Sequence, residues 1–289
     1  MTGPRLKRRN YGRGHGYTID GQKVSGVTTV LNTLPKDALV GWAANTTAAA
    51  AVDRWDELGQ LAPSQRIKEL EDARFKVNKE ATTRGTKIHD LGEKLSHGEE
   101  VEVPDALLGP VQAYARFLDQ WDVTVLATEA PCAHTGAKYA GTLDAVATIG
   151  RLGDEPVMLD LKTGRGVYEA TALQLAAYVE CDLWQPDGPD SEQPMPELGN
   201  TMYVAHILAD DVLLLPVEND PGLFKQFRYL QMTARWLANA KEMSPIGAPL
   251  QLDEVGQPGT TDLDRLHALI DNLTDRRDRL IAAQTGATA

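Results

Sequence analysis

Cysteine is scarce. Cys132 and Cys181 are the only two in 289 residues, too few for a disulfide framework, a four-cysteine zinc site or an iron–sulfur cluster. A reducing, cytoplasmic setting follows as the expectation. Long apolar runs are missing too: the basic start, Arg5-Leu6-Lys7-Arg8-Arg9, is not followed by the apolar stretch that secretion requires, and no segment reaches membrane-spanning length. No internal repeat occurs. Positive charge is in deficit, with 29 Lys and Arg against 41 Asp and Glu and a net charge of −12, so any affinity for phosphate must come from local clusters. Such clusters exist at Arg5, Lys7, Arg8, Arg9 and Arg13, which read as a solvated, disordered tail, and at Arg84, Lys87, Lys94, Lys162 and Arg165.

The composition is that of an ordinary globular chain, 42% hydrophobic and 24% charged, long enough for one large core. A hairpin over residues 17–25 turns at Asp20-Gly21. Helices follow over 36–53, over 64–80, and from about 84 to 96 with Thr82-Thr83 as N-cap and His97-Gly98 as stop. Pro104-Asp105 opens another, with Leu108, Val111, Ala115 and Leu118 as its apolar stripe through to Trp121. Strand formers then dominate 123–131, 139–149 and 156–162, before a helix over 169–184. A Pro- and Gly-rich loop over 185–200 leads to a strand pair at 202–208 and 212–217, and helix resumes at Pro221. Past a linker over 245–259, Leu263, Leu266, Ile270, Leu273 and Leu280 mark a terminal helix that could cap the core or pair with a partner. The expected architecture is an α/β unit over 84–244, a mixed central sheet flanked by helices, with a hairpin and helical addition at 1–83 and a linker and helix at 245–289.

Alternation along Val157 to Lys162 places Val157, Leu159 and Leu161 on a core face and Met158, Asp160 and Lys162 on the other. In the preceding strand Leu143, Ala145, Ala147 and Ile149 share one face, leaving Asp144 opposite. A hairpin turning near Leu152-Gly153 sets Asp144 across from Asp160 to Lys162. Two carboxylates facing each other across a sheet repel unless a cation lies between them, and hard oxygen ligands suit Mg²⁺ or Mn²⁺. Lys162 beside such an ion would hold an attacking water or stabilise charge developing on a phosphate. On the helix over 84–96, Gly85, His89 and Gly92 share a face, which would leave bare surface around the histidine for a metal or phosphate. Gln174 and Tyr178 stand one turn apart on their helix, and Glu129 on the first strand is a further candidate ligand.

Taken in order, Arg84-Gly85-Thr86-Lys87-Ile88-His89, Gly141-Thr142-Leu143-Asp144, Asp160-Leu161-Lys162-Thr163-Gly164 and Gln174-Leu175-Ala176-Ala177-Tyr178 resemble the motif series of the RecB-like branch of the PD-(D/E)XK nuclease superfamily. Beyond them the chain has a looser resemblance to phage-encoded exonucleases. The resemblance implies a restriction-endonuclease-like core and a Mg²⁺- or Mn²⁺-dependent deoxyribonuclease, exonuclease rather than endonuclease, serving DNA recombination, repair or replication. It implies metal ligation by His89, Asp144, Asp160 and the backbone carbonyl of Leu161, hydrolysis aided by Lys162, and support of site and DNA by Gln174 and Tyr178. DNA is the implied partner, with a recombination or single-strand-annealing protein beside it and no membrane, in the host cytoplasm for a phage-encoded chain. Two other readings remain open: a catalytically silent nucleic-acid-binding or assembly protein on a nuclease fold, and another metal phosphohydrolase. The absent cysteines exclude the cluster-bearing members.

Overall fold

The computed structural model of the chain describes residues 4–12, 14–247, 249 and 260–285. Two compact units divide it, Met1–Asn239 and Ala240–Ala289. The first begins with three strands, β1 (Leu6–Tyr11), β2 (Gly14–Ile19) and β3 (Gln22–Gly26). Asp20 and Gly21, at φ +51° and +79°, make the turn that the Asp-Gly pair signalled. Of the expected disordered tail, Lys7, Arg8 and Arg9 lie instead in strand β1, antiparallel to β2, and Arg13 lies outside the described residues. The first residue of β1 explains the strand: Leu6 is fully buried with Ile19, Tyr17 and Ala140, its carbonyl accepts from Gln185 Nε2 at 2.8 Å, and its N–H donates to Glu192 at 2.7 Å.

Four helices follow, α1 (Val27–Leu31), α2 (Asp37–Asp53), α3 (Trp55–Gly59) and α4 (Pro63–Ser96). The last is one helix of 34 residues, where the sequence suggested two. Thr82 and Thr83 together sacrifice only about 1 kcal/mol of helix propensity, whereas a second helix start repeats a nucleation factor of about 10⁻³. The ladder therefore runs through. It stops at His97-Gly98 as expected: Gly98, at φ +73°, donates to Leu95 O and Glu99 donates to Lys94 O, which satisfies the last carbonyls. A 3₁₀ turn (Asp105–Leu107) leads into α5 (Leu108–Trp121). Its buried face is Val111, Tyr114 and Phe117, displaced from the expected stripe, because the aromatic rings outweigh Leu108 and Ala115 in area removed from water.

Strands β4 (Val123–His134), β5 (Tyr139–Ile149) and β6 (Gly153–Lys162) form an antiparallel meander, followed by α6 (Ala170–Val179). Helix α6 ends before the expected residue 184. Asp182 accepts from the Thr135 N–H at 2.6 Å and from its hydroxyl, and β7 (Leu183–Trp184) pairs with Cys132 and Ala133, so the chain is pulled out into the sheet. A short β8 (Gln193–Pro194) pairs with β7. Then come β9 (Thr201–Ile207), parallel to β6, β10 (Val212–Glu218), antiparallel to β9, and α7 (Pro221–Met243). The central order β4-β5-β6-β9-β10 is thus a mixed sheet.

Helices cover it on both sides. One cluster joins Val146, Met158 and Val204 to Val27 and Val30 of α1, Leu175 and Tyr178 of α6, and Phe227 of α7. The other joins Ala145, Ala147, Leu159 and Leu161 to Ile88 of α4 and to Val111, Tyr114 and Phe117 of α5. Each large apolar side chain buried here is worth roughly 1.5–3 kcal/mol. The boundary expected between residues 83 and 84 falls inside α4, and β3 pairs with β5. The second unit holds α8 (Thr260–Thr285), on which Leu263, Leu266, Ile270 and Leu273 are exposed. Of the linker expected at 245–259, residues 248 and 250–259 lie outside the described residues, as does the side chain of Leu280. Among the described residues, no helix is long and apolar enough to cross a membrane.

Candidate metal centre

Strand β5 carries β4 along one edge and shares the other between two strands. β3 takes Tyr139 and Ala140, and β6 takes Ala145 to Ile149, leaving Gly141 to Asp144 at the junction. There the Asp144 side chain does the work of a backbone acceptor: its Oδ2 takes the Leu161 N–H at 2.9 Å. The expected register, Asp144 across from Asp160 to Lys162, is what the structure has. The expected alternation in β5 is not: Leu143 and Val146 pack in one cluster while Ala145 and Ala147 pack in the other, so the pattern slips by one around Asp144. On β4 the neighbouring position is Glu129, between the pairs Thr128↔Ala145 and Ala130↔Leu143. Its φ of +45° is left-handed, a conformation that costs a non-glycine residue about 1–2 kcal/mol and redirects the side chain.

The consequence is a cluster. His89 on α4, Glu129 and Asp144 each offer a ligand atom, all within 4.8 Å of one another. A cleft of about 20 Å³ beside them, also lined by Glu93, Tyr114, Thr128 and Leu161, has room for a single water or ion. One imidazole and two carboxylates are a donor set suited to Mg²⁺ or Mn²⁺. Lost solvation first, then the charges of Asp144 and Glu93, push the Glu129 pKa up to about 7. The charge of Arg8 opposes the shift.

Asp160 is not in that cluster. On β6 alternation holds, so Asp160 shares the Met158 face while Leu159 and Leu161 face α4 and α5. That face is buried as well, contrary to the sequence reading of an open one, and Asp160 is only 2% exposed. Its Oδ2 pairs with Lys162 Nζ, whereas Oδ1 is buried with no hydrogen-bond partner. Burial pushes its pKa up, the charge of Asp144 adds to the shift, and Lys162 opposes it. An orphaned carboxylate oxygen beside Asp144 fits a site that takes a cation. Of the ligands expected from the sequence, His89 and Asp144 are therefore brought together with Glu129, Leu161 borders the same cleft, and Asp160 stands next to them with Lys162. Glu129 is the one that sequence reasoning underweighted: its β4 position opposite Asp144 could be counted along the hairpin, but the left-handed backbone that turns it could not.

Tyr178 is buried, and its ring lies directly over Gly141, where a Cβ would come within 2.5 Å of Cε1. Burial raises the Tyr178 pKa well above its usual value, with a hydrogen bond from Gln174 acting weakly the other way. Tyr178 thus packs on the strand that carries Asp144, and Tyr17 contacts that strand from β2, its hydroxyl 2.8 Å from Thr142 Oγ1. The glycines flanking His89 do something other than expected. A Cβ on Gly92 would meet the Tyr114 ring at 3.1 Å and one on Gly85 would meet Thr163 Oγ1 at 2.9 Å. They admit protein side chains, not a phosphate, because α4 packs face-on to α5 and to the end of β6.

These carboxylates give a pH prediction. A carboxyl whose folded pKa is raised lends stability that is fully present below its unfolded pKa of roughly 4.3 and is lost as pH rises through the folded value, about 7 for Glu129. Metal ligation needs the deprotonated form. The rise in melting temperature on adding Mn²⁺ should accordingly be larger at about pH 8 than at about pH 5.5. An equal or larger rise at the lower pH would contradict these three groups as ligands.

No family model matches the chain and no curated protein does. Among solved structures it is similar to SSO0001, at 14% identity over 73% of this chain and 75% of that one, with a TM-score of 0.31. A likeness that low carries no argument about fold or activity.

Proposed function

We propose that the chain is a metal-dependent deoxyribonuclease that hydrolyses phosphodiester bonds in DNA. The observation that supports this most is the meeting of His89, Glu129 and Asp144 within 4.8 Å, one strand away from the Asp160–Lys162 pair. His89, Glu129 and Asp144 would hold Mg²⁺ or Mn²⁺, with the free Asp160 oxygen as a further ligand. The bound ion would supply Lewis-acid polarisation of a phosphate oxygen and a water of lowered pKa. Lys162, aimed by its pairing with Asp160, orients the attacking water or offsets charge as it builds on the phosphate. Gln174 and Tyr178 hold the Gly141 to Asp144 segment in place. Exonuclease action, the restriction-endonuclease-like fold family and a recombination or strand-annealing partner rest on the resemblance of the four motifs.

End-labelled linear DNA and covalently closed circles, each incubated with Mg²⁺ or Mn²⁺ and with EDTA, test this. Linear DNA should shorten, circles should stay intact, and EDTA should stop the loss. Substrate untouched with either ion, or degraded equally in EDTA, would defeat the proposal. Circles cut as readily as linear DNA would defeat only its exonuclease part.

A further inference from the structure

Strand β1 is an outer strand of its sheet and carries a run of exposed cations, Lys7, Arg8 and Arg9. Its partner β2 holds it against the metal centre: Arg8 lies across from Tyr17, whose hydroxyl contacts Thr142, two residues from Asp144. Between β1 and the end of β4 runs an open groove of about 650 Å³. Lys7, Arg8 and Arg9 line it from β1 and Pro186 and Pro189 from the segment after β7, while Glu93, Thr128 and Glu129 line both this groove and the cleft at the metal centre. The charge of Arg8 reaches Glu129, on which it acts against the effect of burial. A basic lining together with an apolar one, open to solvent and bordering the clustered carboxylates, suits a chain that is anionic along one side and apolar along the other. Its volume is on the scale of a small-ligand cleft, enough for a few nucleotides of one strand.

We infer that this groove binds a single polynucleotide strand, with phosphates on Lys7, Arg8 and Arg9 and the sugar and base faces against Pro186 and Pro189, and leads it to Glu129. The inference rests on the nuclease reading for the identity of the strand, yet it concerns binding and not cleavage. It also explains how a chain of net charge −12 holds a polyanion: the affinity is concentrated in one strand of the fold.

The test is fluorescence anisotropy of a labelled oligothymidylate of about 20 nucleotides, bound by the full chain in Ca²⁺ between about 50 and 200 mM salt. With Lys7, Arg8 and Arg9 all changed to Ala, affinity at the lowest salt should fall roughly tenfold or more and the slope of log affinity against log salt should shrink by about 2. A charge-matched control, Lys225→Ala with Arg228→Ala and Arg235→Ala on α7, should leave the slope alone, and Arg8→Lys with Arg9→Lys should retain it. A triple variant within twofold of the parent in affinity and slope would overturn the groove, as would a parent that does not bind the strand or one that binds a duplex more tightly. The two readings separate cleanly. Strand binding that depends on β1 in a protein that never degrades DNA keeps the groove and removes the nuclease; degradation unaffected by the triple variant does the reverse.

Discussion

Replacing Lys162 with alanine is expected to lower the rate of DNA cleavage on the order of 10³-fold while leaving Mn²⁺ binding largely intact. The expectation follows from what the side chain touches. Lys162 Nζ pairs with one oxygen of Asp160, and the lysine is partly exposed where Asp160 is buried, so it is the member of the pair that can reach water and phosphate. It donates no ligand to an ion, since an ammonium has no lone pair. Its loss should thus appear in kcat with little change in KM, the pattern for an interaction made chiefly in the transition state. Asp160, left without its cation, can remain in the fold by taking up a proton, to which its burial already inclines it. Thermal shift with Mn²⁺ and single-turnover cleavage, run on the same preparation, read the two quantities separately. Full activity in Lys162→Ala would remove the mechanism, and loss of metal binding together with activity would make Lys162 a structural prop of the site.

Gly141→Ala should be the most damaging small change in the sheet. The added methyl would sit 2.5 Å from Tyr178 Cε1, 3.2 Å from its Oη and 3.2 Å from Val27 Cγ2. None of these is the far end of a flexible side chain: Tyr178 and Val27 are both buried in the same cluster, so either α6 must move off the sheet or β5 must bend. Overpacking of this kind costs about 2–3 kcal/mol, or roughly 5–10 °C in melting temperature for a unit of this size. Because Gly141 lies three residues before Asp144, the same displacement should weaken Mn²⁺ binding. Gly41→Ala is the counterpart. Gly41 is exposed within α2, with nothing within 4 Å of a new Cβ, and there alanine should stabilise by about 0.5–1 kcal/mol. A Gly141→Ala protein that melts with the parent would mean that Tyr178 does not press on the strand.

The three residues on which the sequence argument leaned hardest are also the ones whose placement needed the least tertiary information. Asp144, Asp160 and Lys162 lie on adjacent strands joined by a short turn, and a hairpin's register follows from counting residues back from that turn. The Asp20-Gly21 turn and the His97-Gly98 stop were legible for the same reason: positive φ at those residues is a local requirement. Where the sequence misled, helix cooperativity or distant partners had decided. α4 continues through Thr82-Thr83 because propagation costs less than a new start. α6 breaks early because β4 captures Leu183 and Trp184. The basic N-terminal run becomes a strand because Leu6 finds a buried place and partners in Gln185 and Glu192, nearly the length of the chain away.

What the sequence by itself determined was a mixed α/β unit and the register that sets Asp144 level with Asp160 to Lys162 on the adjacent strand, since both depend on strand formers and on turns a few residues long. What only the tertiary structure decided was which acids meet His89. A slip in β5 at Asp144 and a left-handed residue at Glu129 turn those two side chains toward α4, while Asp160 stays paired with Lys162 beside them. Such irregularities are set by the packing of α4, α5 and α6 against both sides of one sheet, and a packing choice of that kind leaves no periodicity in the chain from which it could be read.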